Sequence, residues 1–511
     1  MKKEVSWYII KSRIERNILK IEGDNMNLYG MQDKNLTFSD EEIANLFGHE
    51  AAEDENPDRL KEYYFKNDIY DQITADLPLR LVVGHKGIGK SAVFKIAQQE
   101  LYINHILTVS LTPDDIIEIA EDDADMFKLI RNWKHGLTSI IVDKAIRELS
   151  DKFTLTKGKG DTIVNLILKI FQTNTNIDLN KEKEIIMQNF LRGKKLVVFI
   201  DDLDRGWEGK RSDIRRISAM LNAVRDLARE NTGVNFKVSL RTDVYYLFRT
   251  NDESTDKVEG SVVWITWNNF SILALLAKRI VTFFGGSVTE EELLNSNQHD
   301  LSNILNYVFL ERFEGSGNWS QIPVYRLLTS LIRKRPRDLV KLCTLAAKEA
   351  RKNNNKKIGS KEFNAVFEIY SQGRLQDTIN EFRSELPEIE KLLTNMKPTK
   401  HEKTTGASYK FDTANLLKKV KNITMNYNFI FSNGKQASDK ELCAFMYKIN
   451  FITARKDKPN KIIRKYFEEN QFLMNTFTDF GFDWEIHPAY RWALQPDDIL
   501  MVMKSFVQYD D

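Results

Sequence analysis

The sequence predicts an α/β fold in which helices cover a parallel sheet, followed by a helical lid and a C-terminal winged-helix-like domain. Three observations support this prediction. A glycine-rich loop stands between a strand-like and a helix-like run, and a second apolar run ends abruptly in carboxylates. The last quarter of the 511-residue chain turns from helical periodicity to short strand-like runs.

The glycine-rich loop spans residues 84–91, G-H-K-G-I-G-K-S, and fits the phosphate-binding pattern G-x-x-x-x-G-K-S. Glycines let successive backbone N–H groups turn toward a phosphate at the positive end of the following helix. The pattern predicts a P-loop whose nucleotide-binding residues are Gly84, Gly87, Gly89, Lys90 and Ser91. In such loops the lysine reaches the β- and γ-phosphates and the serine hydroxyl binds Mg²⁺. His85 and Lys86 occupy variable positions, and the pattern assigns them no catalytic role.

The second apolar run, 196–200, ends in the carboxylates of D-D-L-D-R, which is the Walker B pattern. A buried parallel strand of this kind delivers its first acid to the Mg²⁺ shell. We therefore expect Asp201 to join Ser91 at the metal through water, and Asp202 to act as general base toward the attacking water. The alternative is a buried strand that ends in a helix cap. Asp204 caps a helix or supports Arg205.

A third strand-like run, 236–240, precedes Arg241 and Thr242. A polar residue at this strand end senses the γ-phosphate in P-loop ATPases, and an arginine suits bidentate phosphate contact. Arg241 is accordingly a candidate catalytic residue, the alternative being a surface arginine at a strand end. The guanine-recognition motif N-K-x-D is absent at this strand, which favours ATP over GTP.

Further along, K-R-P-R-D-L at 334–339 opens a helix whose proline suits the first turn. An arginine here could reach back to the nucleotide and couple its state to the angle of the lid. Arg337 is the first candidate and Arg335 the second. An exposed basic start of a helix explains the motif equally well.

Together these motifs resemble the KAP-like P-loop ATPases, whose Walker B often contains I-D-D-L-D-R. The following G-W, with E-Y-Y-F at 62–65, resembles a group of bacterial ATPases often encoded near antiviral defence genes. S-L-R-T-D at 239–243 is similar to the sensor strand of STAND-type ATPases. The resemblance covers residues 60–380 and implies an AAA-like or STAND-like core. The transmembrane insertion common in KAP proteins is absent, so we expect no membrane role.

The predicted domains are an N-terminal, mostly helical extension with an acidic segment (1–75), the P-loop core (76–269), the lid (270–380) and the winged-helix-like domain (381–511). Residues 35–58 carry eight acids and no Lys or Arg, whereas residues 391–470 carry 17 Lys or Arg against 7 acids. A basic block confined to one domain suits an acidic partner such as nucleic acid. Its interleaved aromatic residues could equally form the domain core.

The composition indicates the class of protein and the compartment in which it works. The chain is 42% hydrophobic and 29% charged, has a net charge of +2, and contains two cysteines and no run of 18 apolar residues. These values predict a cytoplasmic globular protein without a disulfide framework, a signal peptide or a membrane span.

Two functions fit the motifs. The first is an ATP- and Mg²⁺-dependent ATPase that acts as a switch or homo-oligomeric scaffold and controls an effector protein. An arginine supplied in trans would then come from Arg211, Arg215, Arg216 or Arg225. The second is a DNA-dependent ATPase of replication, repair or transposition. A small-molecule kinase fits less well, because such enzymes are short and rarely carry these appendages.

Overall fold

The computed structural model describes most of the chain. The residues described are 28–104, 106–119, 125–152, 195–203, 205, 209–251, 256–315, 319–404, 409–458, 461–473, 481–495 and 502. The predicted N-terminal helix near 11–21, the apolar run 163–171 and Asp204 lie outside them.

Five parallel strands form the central sheet, in the order β2-β3-β4-β1-β5. They are β1 Leu79–Val83, β2 Leu107–Leu111, β3 Leu196–Ile200, β4 Val234–Leu240 and β5 Val262–Trp264. Successive side chains of a strand point to opposite faces of the sheet, and each face is covered by its own hydrophobic core. Val82 packs in one of these cores and Leu81 in the other. Burial on both faces explains why these strands appear in the sequence as continuous apolar runs.

Helices precede the sheet and connect its strands. They are α1 Asp40–Phe47, α2 Pro57–Tyr63, α3 Asp68–Thr74, α4 Lys90–Ile103, α5 Pro113–Ile116, α6 Met126–Lys152, α7 Arg211–Glu230, α8 Thr242–Asn251 and α9 Asp256–Glu259. Ser39 caps α1, as its sequence predicts, by accepting a hydrogen bond from the Glu42 backbone N–H at 3.1 Å.

The next segment is helical apart from one antiparallel hairpin, which the sequence does not predict. The helices are α10 Asn269–Phe283, α11 Glu290–Asn295, α12 Gln298–Leu305, α13 Val324–Leu331, α14 Pro336–Lys352 and α15 Ser360–Phe382, and the hairpin is β6 Arg312–Glu314 with β7 Ser320–Pro323. We call this segment, 269–382, the lid.

The C-terminal region, residues 409–495, combines helices with a four-stranded antiparallel sheet of order β10-β9-β11-β8. Two short helices, α16 Ile389–Thr394 and α17 Lys400–Thr404, lead into it. Its elements are β8 Lys410–Phe411, α18 Thr413–Thr424, α19 Asp439–Lys448, β9 Ile452–Lys458, β10 Lys461–Lys465, β11 Asp483–Ile486 and α20 Arg491–Leu494.

Some predicted boundaries in this part of the chain are wrong. A single helix over 382–395 is interrupted, because Pro387 cannot continue a helix and separates α15 from α16. The helix expected from Phe411 begins at Thr413, where the Asp412 carboxylate accepts the Asn415 N–H at 2.7 Å. Strand β9 is absent from the prediction because its second half, R-K-D-K, carries no apolar alternation.

One of the buried clusters runs from the N-terminal helices through the sheet and the lid to Trp492 near the C-terminus. The core, the lid and the C-terminal region are therefore packed against one another. Within the described residues, no helix has both the length and the apolar character needed to cross a membrane.

Candidate functional site

The P-loop connects β1 to α4 at the carboxyl end of the sheet. Gly87 and Gly89 have φ angles of 78° and 108°, which residues with a side chain rarely adopt. The Lys90 side chain folds back over the loop, and its ammonium group donates to the carbonyl oxygens of Gly84 at 2.9 Å and His85 at 3.3 Å. The side chain that would contact phosphate is thus held above the loop's own backbone.

The two Walker B carboxylates follow β3, on the same edge of the sheet. Asp201 Oδ1 accepts hydrogen bonds from the Asp202 N–H at 2.9 Å and from the Ser239 hydroxyl on β4. Asp202 has a φ of 58°, a left-handed conformation that is uncommon for a side-chain-bearing residue. This turn directs the chain away from the strand so that both acids line one cavity with Lys90.

Arg241 follows β4 at the position predicted for a sensor. It lines the same cavity but is nearly buried, and its guanidinium binds Asp243 at 2.9 and 2.6 Å. Its Nη2 also donates to the backbone carbonyl of Glu381 in the lid at 2.6 Å. Arg241 therefore connects the end of β4 to the last turn of α15.

The structure distinguishes the two lid arginines. Arg337 lines the cavity, and its N–H donates to the Gly87 carbonyl at 3.3 Å. Arg335 lies buried behind the loop, where its Nη1 contacts the Lys86 carbonyl at 3.3 Å and Glu381 Oε2 at 3.1 Å. Of the two, only Arg337 lines the cavity, and its Nε donates to the Glu50 carbonyl at 2.9 Å.

The cavity that unites these residues has a volume of about 510 Å³. Its lining includes the predicted residues Gly87, Gly89, Lys90, Ser91, Asp201, Asp202, Arg241 and Arg337. Gly84 is outside the lining and has a packing role: a Cβ there would come within 2.8 Å of Ile88 Cγ2. Residues more than 100 positions apart in the sequence thus meet in one space large enough for a small ligand.

The wall opposite the loop comes from the segment before the sheet, which the motifs do not identify. It contains His49, Glu50, Glu53 and Glu55 of the acidic segment, with Leu60 and Tyr63 of α2. The Tyr63 hydroxyl donates to Glu55 Oε2 at 2.5 Å, and the Arg279 guanidinium lies 4.5 Å from the Tyr63 ring centre. Part of the predicted N-terminal extension is therefore a wall of the site.

The residues present suit a magnesium ion chemically. Ser91 supplies a hydroxyl and Asp201 a carboxylate in the same cavity, and oxygen donors are what Mg²⁺ prefers. Both hydrogen bonds to Asp201 fall on Oδ1; within the described part of the chain Oδ2 accepts none. That oxygen retains its lone pairs for a metal-bound water.

The basic block of the C-terminal region does not form an aromatic platform. Residues 447–472 contain five aromatic residues among the cations: Tyr447, Phe451, Tyr466 and Phe467 are buried in the core, and Phe472, just beyond the block, is exposed, at 61%. Several of its cations pair internally: Lys448 with Glu385, and Arg455 and Arg464 with Glu485. Lys456 and Lys458 are exposed and Lys465 is half-buried.

Helix α19 would be the reading helix if the region bound DNA as winged-helix proteins do. Six of its ten residues are buried, including Phe445 and Met446; Lys440 is exposed, and Asp439, Glu441 and Ala444 are half-buried. In helix-turn-helix proteins the N-terminal residues of the recognition helix contact the base edges. Beyond its first turn, the side chains of α19 are buried or half-buried.

Three residues of the site are given no role by the sequence motifs. Ser239 lies inside an apolar strand, and its contact with Asp201 follows only from the pairing of β3 with β4. Glu381 lies about 300 residues from the P-loop and binds it through the Lys86 N–H at 3.0 Å. His85, at a variable loop position, is buried against Glu381 and Glu468.

Sequence comparisons match part of this chain to one protein family and most of it to one protein. Residues 273–379, which lie within the lid, match the family described as the FunZ-associated C-terminal helical domain. The putative transposon gamma-delta 80.3 kDa protein of Escherichia coli K12 is 21% identical over 518 residues, covering 89% of this chain and 68% of that protein.

Three solved structures are among those similar to this chain. The Walker-type ATPase PABY2304 of Pyrococcus abyssi shares 12% identity, with a TM-score of 0.37 over 79% of this chain and 94% of that one. The ORC2 protein of Aeropyrum pernix shares 10%, with 0.36 over 80% and 88%. The RuvB branch migration motor of Thermotoga maritima shares 9%, with 0.28 over 63% and 78%. The strand order and the loop geometry of this chain themselves define the fold, which is that of a P-loop NTPase with a helical lid.

Proposed function

We propose that this protein binds and hydrolyses ATP with Mg²⁺ and works as a nucleotide-dependent switch. The observation that supports this most is the single cavity that brings Lys90 and Ser91 together with Asp201 and Asp202. In the proposed site Lys90 and the loop N–H groups bind the phosphates, and Ser91 and Asp201 hold the metal. Asp202 accepts a proton from the attacking water.

The switch character follows from what surrounds the loop. Arg337 of the lid contacts Gly87, and Glu381 of the lid accepts the Lys86 N–H. A phosphate that moves the loop therefore changes contacts with the lid directly. The contacts between the P-loop and the lid could thus transmit the state of the nucleotide to the lid.

The partner is a protein effector in this proposal, and the setting is bacterial antiphage defence. The resemblance to ATPases encoded near defence genes supports that setting. Homo-oligomers would supply an arginine in trans. Arg211 and Arg215, at the start of α7, are exposed and are the candidates for that role, whereas Arg216 is half-buried.

ATP turnover by the purified chain over a series of protein concentrations tests the proposal. Switch NTPases without a supplied arginine turn over at about 10⁻⁴–10⁻² s⁻¹, and a supplied arginine adds about 10³–10⁵. We expect turnover per chain to rise steeply with concentration and to fall back in the double variant Arg211→Ala/Arg215→Ala. Turnover that is equal in Lys90→Ala and wild type would refute the assigned site.

A second candidate, a DNA-dependent ATPase, is favoured by one comparison and one surface. The E. coli relative is described as a transposon protein. The β9–β10 hairpin exposes Lys456 and Lys458, with Lys465 half-buried beside them. Three phosphate contacts would make affinity fall by about 40-fold between 50 and 200 mM salt.

The two candidates separate in one experiment. Double-stranded DNA is added at low salt to wild type and to Lys456→Glu/Lys458→Glu, and ATP turnover is followed as salt rises. Stimulation that the variant loses supports the DNA-dependent ATPase. Turnover that ignores DNA in both proteins, but still depends on concentration, supports the switch.

A further inference from the structure

His85, the second residue of the P-loop, extends its side chain into the C-terminal region. It is 1% exposed. Its Nε2 pairs with Glu468, and its Nδ1 lies 3.8 Å from Glu381 of the lid. Asn450 Nδ2 donates to both oxygens of Glu468, at 2.9 and 3.0 Å, and lies 3.3 Å from His85 Nε2.

Glu381 gathers contacts from three parts of the molecule. Its Oε1 accepts the Lys86 N–H at 3.0 Å, its Oε2 accepts Arg335 at 3.1 Å, and its carbonyl accepts Arg241 at 2.6 Å. Burial alone would raise the pKa of Glu381, but Arg335 and the neighbouring His85 outweigh it and hold that pKa well below its usual range. The carboxylate therefore stays charged and keeps the loop in place.

His85 also has a contact on the nucleotide side. Its carbonyl accepts Lys90 Nζ at 3.3 Å, while its ring binds Glu468. A phosphate that draws Lys90 away removes a bond from the backbone of the residue whose ring connects to the C-terminal sheet. The bond to Lys90 and the contact with Glu468 thus belong to one buried residue. Tightly packed protein interiors transmit a displacement of such a residue to its neighbours.

The same junction contains two residues in uncommon backbone conformations. Lys334, in the turn before α14, and Asn450, before β9, have φ angles of 53° and 56°. Lys334 Nζ binds Glu469 Oε1 at 2.7 Å and lies 4.6 Å from the Tyr466 ring centre. Left-handed conformations at side-chain-bearing residues cost about 1–3 kcal/mol each and persist where surrounding contacts enforce them.

We propose that Glu381 and Glu468 are positioning residues of the P-loop that, through His85, couple nucleotide binding to docking of the C-terminal region. The inference rests on the proposed binding of nucleotide at the P-loop. Because coupling between two sites is reciprocal, the factor by which the junction changes nucleotide affinity equals the factor by which nucleotide changes docking. The C-terminal region is then the arm that reports the state of the nucleotide.

Two measurements on the full chain test this coupling. Affinity for mant-ADP with Mg²⁺ is measured in wild type, His85→Gln, Glu468→Gln and the double variant. Each single variant is expected to change Kd by about 5- to 150-fold, and the double variant by no more than the larger single effect. Hydrogen exchange over residues 463–473 is expected to respond to mant-ADP in wild type and to lose that response in both single variants.

Glu390→Gln is the matched control, because Glu390 is exposed and pairs only across the surface with Arg383 at 3.1 Å. Circular dichroism checks that each variant folds, and Glu468→Gln leaves the loop sequence intact if His85→Gln does not fold. Additive effects on Kd, or an exchange response that persists in both variants, would overturn the coupling alone. Wild type that binds no mant-ADP would overturn the proposed function as well.

Discussion

Lys90 and Asp202 have separate tasks in the proposed site, and substitutions should separate them. Lys90→Ala removes the ammonium that would bind the phosphates, so nucleotide binding should be lost. Asp202→Asn keeps the shape of the turn and removes the proton acceptor, so binding should persist while turnover falls by about 10²–10⁴-fold. Mant-ATP titration and single-turnover hydrolysis measure the two effects. Equal loss of binding in both variants would contradict this division.

Gly87 should tolerate no side chain. Its φ of 78° is strained for alanine, and a Cβ would lie 2.8 Å from Arg337 Cβ and 3.0 Å from its Cδ. The strain of about 1–3 kcal/mol predicts that Gly87→Ala weakens mant-ADP binding by roughly 5- to 150-fold.

Gly373→Ala is the control for the Gly87 variant. It lies inside α15, where a Cβ would meet nothing within 4 Å, and alanine there should stabilise the fold by about 0.5–1 kcal/mol. Equal affinity in both alanine variants would show that the loop geometry is not required.

The two lid arginines show where prediction from the sequence stops at this scale. K-R-P-R places two guanidinium groups near the start of a helix, and the proline predicts the helix correctly. Which arginine faces the cavity depends on the position of Gly87, and the partner of the other is Glu381, 46 residues away. The Walker motifs were predictable because they specify local backbone geometry. The orientations of the two lid arginines were not, because they depend on tertiary packing.

At the scale of elements, the C-terminal sheet is built around a buried carboxylate. Glu485 of β11 binds Arg455 at 3.0 Å and Arg464 at 2.7 Å, and it also pairs with Arg491. Burial would raise its pKa, but the three arginines lower it to about 2. Arg455 and Arg464 of the basic block thus stabilise this sheet, a role that charge counting along the sequence could not predict.

Glu485 should make the stability of this sheet sensitive to acid. Its folded pKa of about 2 lies below the ordinary value of 4.5, so its contribution is present above pH 4.5 and is lost as pH falls toward 2. Glu485→Gln removes the buried carboxylate that Arg455, Arg464 and Arg491 share and should cost about 3–5 kcal/mol at neutral pH. Urea unfolding between pH 2 and 7 measures this. If the loss of stability at low pH is the same in the variant as in wild type, that loss is due to other titratable groups.

At the scale of the whole molecule, a second buried ion cluster joins the lid to the C-terminal region. Asp338 of α14 binds Arg333 at 2.7 and 2.9 Å and Arg374 of α15 at 2.6 Å. Arg333 Nη1 then donates to the Tyr490 hydroxyl at 3.0 Å. Burial would raise the pKa of Asp338, but Arg333 and Arg374 outweigh it and keep the carboxylate charged.

Asp338→Asn should therefore loosen the C-terminal region from the lid. It removes the buried carboxylate that Arg333 and Arg374 share, at a cost of about 3–5 kcal/mol, and hydrogen exchange should rise in α15 and over residues 487–494 before it rises in the sheet. Asp377→Asn is the matched control, since Asp377 binds the same Arg374 at 2.8 Å from an exposed position and should cost at most about 1 kcal/mol. If the two variants behave alike, the cluster does not hold the lid and the C-terminal region together. If Asp338→Asn alone frees the region while mant-ADP still binds, the docked arm is separable from the site that it contacts, as a switch requires.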